Sequence, residues 1–236
     1  MTQNNKIAIV TGASTGLGKS ISIKLALKGY EIILASRNEE KLNEVHGIIN
    51  EGRGQSKVIV TDVSNEIDIV NLYSQIDIDK VEIVINNAGF GVFNKIHKIT
   101  SHEWDKQMNT NLRGSFLISR YIVESMIKRK TGRLVFINSV AGINPYPYSS
   151  AYVASKFGLR GFTSSLREEL REHNIKVISV HPGAIDTQFW NNVNVDFPKD
   201  EMLSSDDVAE SVLYAVLAPN NVVQEEVVIR RTAGDF

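Results

Sequence analysis

The sequence of 236 residues contains no cysteine, which excludes disulfide bonds, thiolate zinc sites and a cysteine nucleophile. It also contains no apolar run that approaches the roughly 20 residues a helix needs to cross a bilayer. The N-terminal residues, MTQNNKIAIVTG, have neither the basic start nor the long apolar core of a signal peptide. We therefore expect a cytoplasmic protein that does not act at a membrane.

Neither sign of charge is in excess, since the formal net charge is −1. This balance argues against nucleic acid or an anionic membrane as a partner. The 5 histidines are scattered, with no pair at i, i+4 and no HExxH, so no metal site is expected. No linker rich in Pro, Gly or Ser divides the chain, and we expect residues 1–236 to form a single cofactor-binding and catalytic domain.

Short runs rich in Val and Ile alternate with longer segments of helical period, which predicts a parallel sheet covered by helices on both faces. The fold class expected is α/β, a doubly wound parallel sheet of about seven strands. The expected strands cover residues 6–12, 31–36, 57–63, 81–89, 132–139, 176–183 and 225–231. The expected helices cover residues 16–28, 39–51, 65–75, 101–130 with a break near Thr110, 151–173 and 206–217.

A glycine-rich segment, TGASTGLG at 11–18, lies between the first expected strand and the first expected helix. Glycines let the backbone turn sharply and approach a pyrophosphate, which the helix N-terminus attracts. The spacing is not the common GxGxxG, and a purely structural role is the alternative. The residues expected to hold the phosphates of a dinucleotide are Gly12, Ser14, Thr15, Gly16, Leu17 and Gly18.

The end of the second strand predicts which dinucleotide binds. An acidic residue there suits the ribose of NAD(H), whereas a basic one suits the 2′-phosphate of NADP(H). The sequence reads ASRNEE, with Ser36 and Arg37 and no acid before Glu39. Arg37 therefore favours NADP(H) over NAD(H) because its guanidinium donates in pairs to a phosphate. The alternative is a solvated arginine, and Thr15 adds no second cation.

The segment SAYVASK at 150–156 places Tyr152 and Lys156 four residues apart, on one face of a helix. A tyrosine titrates near ~10 when unperturbed, and a nearby cation lowers that pKa. Such a tyrosine can exchange a proton with a carbonyl or alcohol oxygen during hydride transfer. Ser139 ends the fifth strand and is expected in the same crevice, because ligands bind at the carboxyl ends of such strands. It lacks the GxSxG context of a hydrolase.

Together these segments resemble the short-chain dehydrogenase/reductase family. The matching segments, in the family's order, are TGASTGLG (11–18), DV (62–63), NNAG (86–89), NLRG (111–114), NSVAG (138–142), YVASK (152–156) and HPGAIDT (181–187). The resemblance implies a Rossmann-like oxidoreductase that acts on an alcohol or carbonyl through NAD(H) or NADP(H). It also implies a homodimer or homotetramer.

The resemblance further implies a role for individual residues. Tyr152 would be the general acid/base, Lys156 would assist it and bind the nicotinamide ribose, and Ser139 would bond the reacting oxygen. Asn111 would hold a proton-relay water. The remaining implied cofactor contacts are Asp62 and Val63 at the adenine, Asn87 and Gly89 beside its ribose, and Ile185 and Thr187 at the nicotinamide carboxamide.

Loops after the strands, at 90–93, 144–148 and 188–203, are expected to surround the substrate. Phe93, Tyr146 and Trp190, with Phe189, offer an apolar pocket for a small or apolar ketone or aldehyde. The alternative is that these aromatics only pack a lid. The function expected is reduction of such a compound with NADP(H).

Three other functions are alternatives for this sequence. A 3-oxoacyl-carrier-protein reductase fits the resemblance, and the basic segment MIKRK (126–130) would suit an acidic carrier, but the tail VVIRRTAGDF departs from the usual glycine-rich ending. A non-catalytic NADP(H)-sensing regulator would not need Asn111, Ser139, Tyr152 and Lys156 together. A nucleotide-sugar epimerase or dehydratase would need more chain after the sixth strand.

Overall fold

Seven strands form one parallel sheet in the computed structural model, which describes residues 6–192 and 198–234. The strands are β1 (Ile7–Thr11), β2 (Glu31–Ser36), β3 (Gln55–Val60), β4 (Val81–Asn86), β5 (Gly132–Ile137), β6 (Ile175–Pro182) and β7 (Glu226–Ile229). Their order is β3-β2-β1-β4-β5-β6-β7, and every neighbouring pair is parallel. The order reverses between β1 and β4, where a doubly wound sheet opens a crevice for ligands.

Helices cover both faces of this sheet. They are α1 (Gly16–Leu27), α2 (Glu39–Glu51), α3 (Glu66–Ser74), α4 (Ser101–Met108), α5 (Gly114–Arg129), α6 (Ser150–Leu170) and α7 (Ser205–Val216). Successive strand residues point to opposite faces, so Val10 of β1 packs with α1, α2 and α7, whereas Ile9 packs with α3, α5 and α6. Because both faces are covered, β5 and β6 are buried along their whole length. The expected fold class is confirmed.

Two strands, β3 and β4, end three residues earlier than the sequence predicts. β3 spans 55–60 rather than 57–63, because Asp62 forms a turn in which its Oδ1 accepts hydrogen bonds from the backbone and hydroxyl of Ser64 at 2.9 and 2.7 Å. β4 ends at Asn86 rather than Gly89. Both early ends leave the following residues free of strand pairing at the crevice.

The predicted break near Thr110 is absent from the described chain between α4 and α5. Residues Asn109–Arg113 form a π-helical turn that joins the two helices. Gln107 and Asn111 lie at this junction, and both hydrogen-bond the backbone of the loop after β4. The widened turn therefore orients polar side chains toward the loop after β4, and π-helical turns often occur at functional sites.

None of the described helices is long and apolar enough to span a bilayer.

Candidate active site

A cavity of about 890 Å³ lies at the carboxyl ends of the strands, with the glycine turn at one end and Tyr152 at the other. Every predicted site residue except Asn111 lines it. These are Gly12, Ser14, Thr15, Gly16, Leu17, Gly18, Ser36, Arg37, Asp62, Val63, Asn87, Gly89, Phe93, Ser139, Tyr146, Tyr152, Lys156, Ile185, Thr187 and Trp190. Residues far apart in the sequence are thus brought into one cavity.

The glycine turn needs its glycines for steric reasons. Gly12 and Gly16 have φ values of +64° and +51°, a region that side chains disfavour. A Cβ on Gly18 would lie 2.3 Å from the carbonyl oxygen of Gly12. The Thr15 side chain makes no capping bond to α1 within the described residues. The N–H groups of the first turn of α1 therefore remain available to a phosphate, and the segment fits a dinucleotide.

Asn87 supports this turn from the neighbouring strand. Its Nδ2 donates to the carbonyl oxygens of Thr11 and Gly12 at 2.9 and 3.2 Å. Its backbone N–H donates to Thr11 Oγ1 at 3.0 Å. Asn87 thus lines the cavity as predicted, but its amide is committed to fixing the glycine turn.

The end of β2 gathers groups that donate hydrogen bonds. The hydroxyls of Ser14 and Ser36 are 3.0 Å apart, and the exposed Arg37 guanidinium lies 4.0 Å from Asp62. Burial raises the pKa of Asp62, but the hydrogen bonds from Ser64 and the charge of Arg37 outweigh it and lower that pKa. Two hydroxyls and a guanidinium at one place are suited to a phosphate.

Ser139 and Tyr152 are the hydroxyl groups of the cavity that are suited to proton transfer. Ser139 follows β5 and its side chain hydrogen-bonds the phenol of Tyr152. Ser139 Oγ also accepts from the backbone N–H of Ala141 at 3.1 Å. This bond leaves Ser139 one proton to donate, to the Tyr152 oxygen as here or to a substrate oxygen that takes its place, so the two hydroxyls can bind one oxygen atom of a substrate.

Lys156 does not act on Tyr152 as the i, i+4 spacing predicts. Its Nζ donates to the carbonyl oxygen of Ile137 at 2.9 Å and lies 5.7 Å from the centre of the Tyr152 ring. Burial raises the pKa of Tyr152 to about 12, opposed only by the Ser139 hydrogen bond. Burial also lowers the pKa of Lys156 to about 7. Lys156 is therefore not among the causes that shift the Tyr152 pKa in this arrangement, because burial favours the uncharged lysine. Its predicted assistance to Tyr152 stays a prediction.

Asn111 lies in the π-helical turn, behind the cavity wall. Its Oδ1 accepts from the backbone N–H of Phe90 at 3.0 Å, and its Nδ2 donates to Phe90 O and Ser155 Oγ at 2.9 and 3.0 Å. Ser155 Oγ in turn donates to the Tyr152 carbonyl at 2.7 Å. The side chain thus ties the loop after β4 to α6, next to Tyr152. Its predicted part in a proton relay stays a prediction.

The segment after β6 contributes Ile185, Thr187 and Trp190 to the cavity wall. The Thr187 methyl carbon would lie 2.9 Å from a Cβ on Gly16, so this threonine approaches the glycine turn closely. Trp190 Nε1 donates to the carbonyl oxygen of Ile185 at 2.9 Å. Residues 193–197 of the predicted substrate loop lie outside the described residues.

Aromatic rings surround Tyr152. The centres of the Phe93 and Phe189 rings lie 5.4 and 5.7 Å from that of Tyr152, and Trp190 stacks on Phe93 at 6.0 Å. Tyr146 lines the cavity nearby, and its carbonyl oxygen accepts from Ser149 Oγ at 2.6 Å. The predicted aromatic wall is therefore present, and Phe189 belongs to it.

Two cations of the cavity wall were missed by sequence reasoning. Lys106 of α4 acts electrostatically on Asp62, and Arg231 binds Glu201 from the C-terminal segment. Lys106 lies in an ordinary polar helix, and no local pattern marks it. Arg231 follows the last strand, and only the sheet order places β7 beside β6.

The doubly wound sheet, the glycine turn at its switch point and the hydroxyl pair beside it define a class of dinucleotide-binding oxidoreductases. Residues 6–197 match the family model described as short chain dehydrogenase. The chain belongs to the short-chain dehydrogenase/reductase family and is an oxidoreductase of that family.

Similar proteins cover nearly the whole chain. An uncharacterized oxidoreductase of Staphylococcus epidermidis is 32% identical over 95% of this chain and 96% of its own length. A sepiapterin reductase of Chlorobaculum tepidum is 31% identical over 98% of both chains. Among solved structures, a metagenomic short-chain oxidoreductase in complex with NADP has a TM-score of 0.85 and 32% identity, over 96% of this chain and 97% of that one.

Proposed function

We propose that the protein uses NADP(H) to reduce the carbonyl group of a ketone or aldehyde to an alcohol. The observation that carries this proposal is the hydrogen bond between Ser139 and Tyr152 in the cavity that the glycine turn opens. Two hydroxyls that can bind one oxygen beside a dinucleotide site suit a reaction in which that oxygen gains negative charge.

The cofactor, when bound, supplies the hydride. Ser139 and Tyr152 hold the carbonyl oxygen and so orient its carbon. Because the pKa of Tyr152 is about 12, its phenol is protonated at neutral pH and can donate its proton as charge builds on that oxygen. The carbonyl carbon gains a hydrogen, the oxygen gains the phenolic proton, and Tyr152 is left as a phenolate. Lys156, with a pKa of about 7, is suited to giving or taking a proton nearby.

The preference for NADP(H) is supported by the groups at the end of β2. Ser14, Ser36 and Arg37 would bind the 2′-phosphate, and Arg37 stands where an NAD(H) site would carry an acid. The metagenomic oxidoreductase similar to this chain is in complex with NADP. NAD(H) is the less favoured cofactor.

The single domain and the homo-oligomer are proposed from the cavity lining and from exposed aromatic side chains. The cavity takes residues from both halves of the sheet, which supports one cofactor-binding and catalytic domain over residues 1–236. Phe116 of α5 and Phe157 of α6 are 41% and 42% exposed, which supports assembly as a homodimer or homotetramer. The cytoplasmic location stays a prediction.

The contacts of the basic segment 126–130 do not support docking of an acidic carrier protein. In the basic segment, Lys128 Nζ donates to Glu124 at 2.6 Å, and Arg129 donates to the Val81 carbonyl at 2.8 Å. These cations already have partners within the chain.

Replacing Tyr152 with Phe tests the proposed function. We expect kcat for ketone reduction to fall by about 10²- to 10⁴-fold, the usual contribution of a general acid, while affinity for NADPH stays nearly unchanged. The matched control is Tyr214→Phe, since Tyr214 of α7 is 76% exposed. Near wild-type turnover by the Tyr152→Phe protein would show that another group donates the proton.

A further inference from the structure

Phe93, Tyr152 and Phe189, which we call the aromatic triad, form a closed triangle of rings. The ring centres are 5.4 Å apart for Phe93 and Tyr152, 5.7 Å for Tyr152 and Phe189, and 6.0 Å for Phe93 and Phe189. These separations leave no space for a substrate between the rings. Each ring is half-buried and lines the cavity, so each keeps part of its surface facing the substrate.

A glycine permits the triad to close. A Cβ on Gly91 would lie 2.6 Å from the Phe93 ring and 2.9 Å from the Phe189 ring. Any larger residue at this position would push the two rings apart. The chain thus brings two phenylalanines, one from each side of the cavity, against the same tyrosine.

The charged side chains of the described cavity wall already have partners within the chain, and Lys156 lies beside the triad, 5.7 Å from the centre of the Tyr152 ring. Arg37 and Asp62 lie at the β2 end, where Lys106 also acts on Asp62. Lys156 Nζ donates to the Ile137 carbonyl, and Arg231 binds Glu201. A substrate group that packs on the triad would therefore meet aromatic carbon and the two hydroxyls of Ser139 and Tyr152. An uncharged group is favoured there.

We propose that the substrate carries its carbonyl group next to an uncharged, planar, unsaturated ring, and that Phe189 is a specificity-determining residue. This rests on the proposed function, because Ser139 and Tyr152 place the carbonyl oxygen at the edge of the triad. A planar ring attached to that carbonyl lies against the triad, where offset and edge-to-face contacts with aromatic rings are favourable beyond area alone. A saturated ring of the same size gains only the free energy of burying its apolar surface.

Two ketones separate planarity from size: acetophenone and cyclohexyl methyl ketone. Calorimetric titration of each into enzyme saturated with oxidised NADP, or with oxidised NAD if only that binds, measures affinity without turnover. We expect acetophenone to bind about threefold to tenfold more tightly, in line with the preference of aromatic pairs. Phe189→Leu should largely remove this ratio, because leucine keeps the apolar bulk but has no aromatic face.

Two further variants serve as controls. Phe189→Tyr keeps the ring and should keep the ratio, even if Phe189→Leu folds poorly. Phe116→Leu removes an exposed ring of α5 that packs on Phe162 at 6.2 Å, and it should leave the ratio unchanged. A wild-type ratio near one would overturn the substrate class, and a ratio that survives in Phe189→Leu would overturn the role of Phe189. The proposed function is tested separately by turnover of the Tyr152→Phe protein.

Discussion

Replacing Arg37 with Ala changes the groups that would distinguish NADPH from NADH. The guanidinium is 64% exposed and lies 4.0 Å from Asp62, so this ion pair contributes less than about 1 kcal/mol to folding. Stability should therefore be nearly unchanged. The substitution removes a cation beside Ser14 and Ser36, and it leaves the Asp62 carboxylate without that neighbour, close to an incoming phosphate.

The size of the expected change in the Kd for NADPH follows from the exposure of the Arg37 side chain. Hydrogen bonds to charged groups contribute about 1.5–3 kcal/mol, and solvent around an exposed arginine favours the lower value. Since 1.4 kcal/mol corresponds to a factor of ten, the Kd for NADPH should rise by roughly tenfold. NADH has no 2′-phosphate, so its Kd should change by less than about twofold.

Quenching of tryptophan fluorescence during titration measures both constants, because Trp190 lines the cavity. Arg120→Ala is the matched control: Arg120 is 58% exposed, pairs with Glu66 at 3.1 Å and lies outside the cavity wall that the structure describes. It should leave both cofactor constants unchanged. If Arg37→Ala weakens NADPH and NADH equally, or weakens neither, Arg37 does not read the phosphate.

Three other substitutions test separate parts of the site. Lys156→Met should raise the melting temperature at pH 6, and by less at pH 10. Burial lowers the pKa of Lys156 from 10.5 to about 7, so protonating this lysine in the folded state costs stability. The cost is complete below pH 7 and fades toward pH 10.5, and methionine removes it. Asn111→Ala should destabilise the fold by about 3 kcal/mol in urea unfolding, because it leaves the part-buried N–H and carbonyl of Phe90 without this partner and removes the donor to Ser155 Oγ. Gly18→Ala should weaken cofactor binding by more than about tenfold and cost roughly 2 kcal/mol of stability, because its Cβ would lie 2.3 Å from a carbonyl oxygen.

Each of these has an outcome that would contradict it. Stability of the Lys156→Met protein that rises relative to wild type with increasing pH would reverse the sign of the lysine argument. An Asn111→Ala protein as stable as wild type would mean that the loop after β4 is held by other bonds. For the glycine, the control is Gly161→Ala in α6, whose Cβ would meet nothing within 4 Å and which should gain about 0.5–1 kcal/mol.

The sequence predicted the fold because its signals are local and repeated. Val and Ile runs such as residues 81–86 can be buried on both faces only in a covered sheet, and the glycine turn marks where the chain passes from β1 to α1. The positions of Ser139 and Tyr152 follow from strand ends that converge on one crevice. Most of the cavity wall was therefore predictable from motif positions alone.

The remaining features depend on tertiary packing. Spacing places Lys156 and Tyr152 on one face of α6, but it does not show that the lysine is buried and turned toward Ile137. That burial changes the pKa values of both groups in ways that an exposed pair would not show. Likewise, the sequence near Thr110 suggests an interruption, whereas the contacts of Asn111 with another loop show why the helix widens instead of breaking.

Because of the π-helical turn, the site also depends on the number of residues between Gln107 and Asn111. Gln107 accepts a hydrogen bond from Val92, and Asn111 bonds Phe90, so two side chains on either side of Thr110 hold one loop. Loss of the single codon for Thr110 would remove the extra residue of the π-helical turn and let the helix close into an ordinary α-helix, with Asn111 one position closer to Gln107 along the chain. We expect this changed spacing to weaken the bonds to Phe90 and Val92. A deletion that removes neither Gln107 nor Asn111 would thus be expected to loosen the loop beside Tyr152.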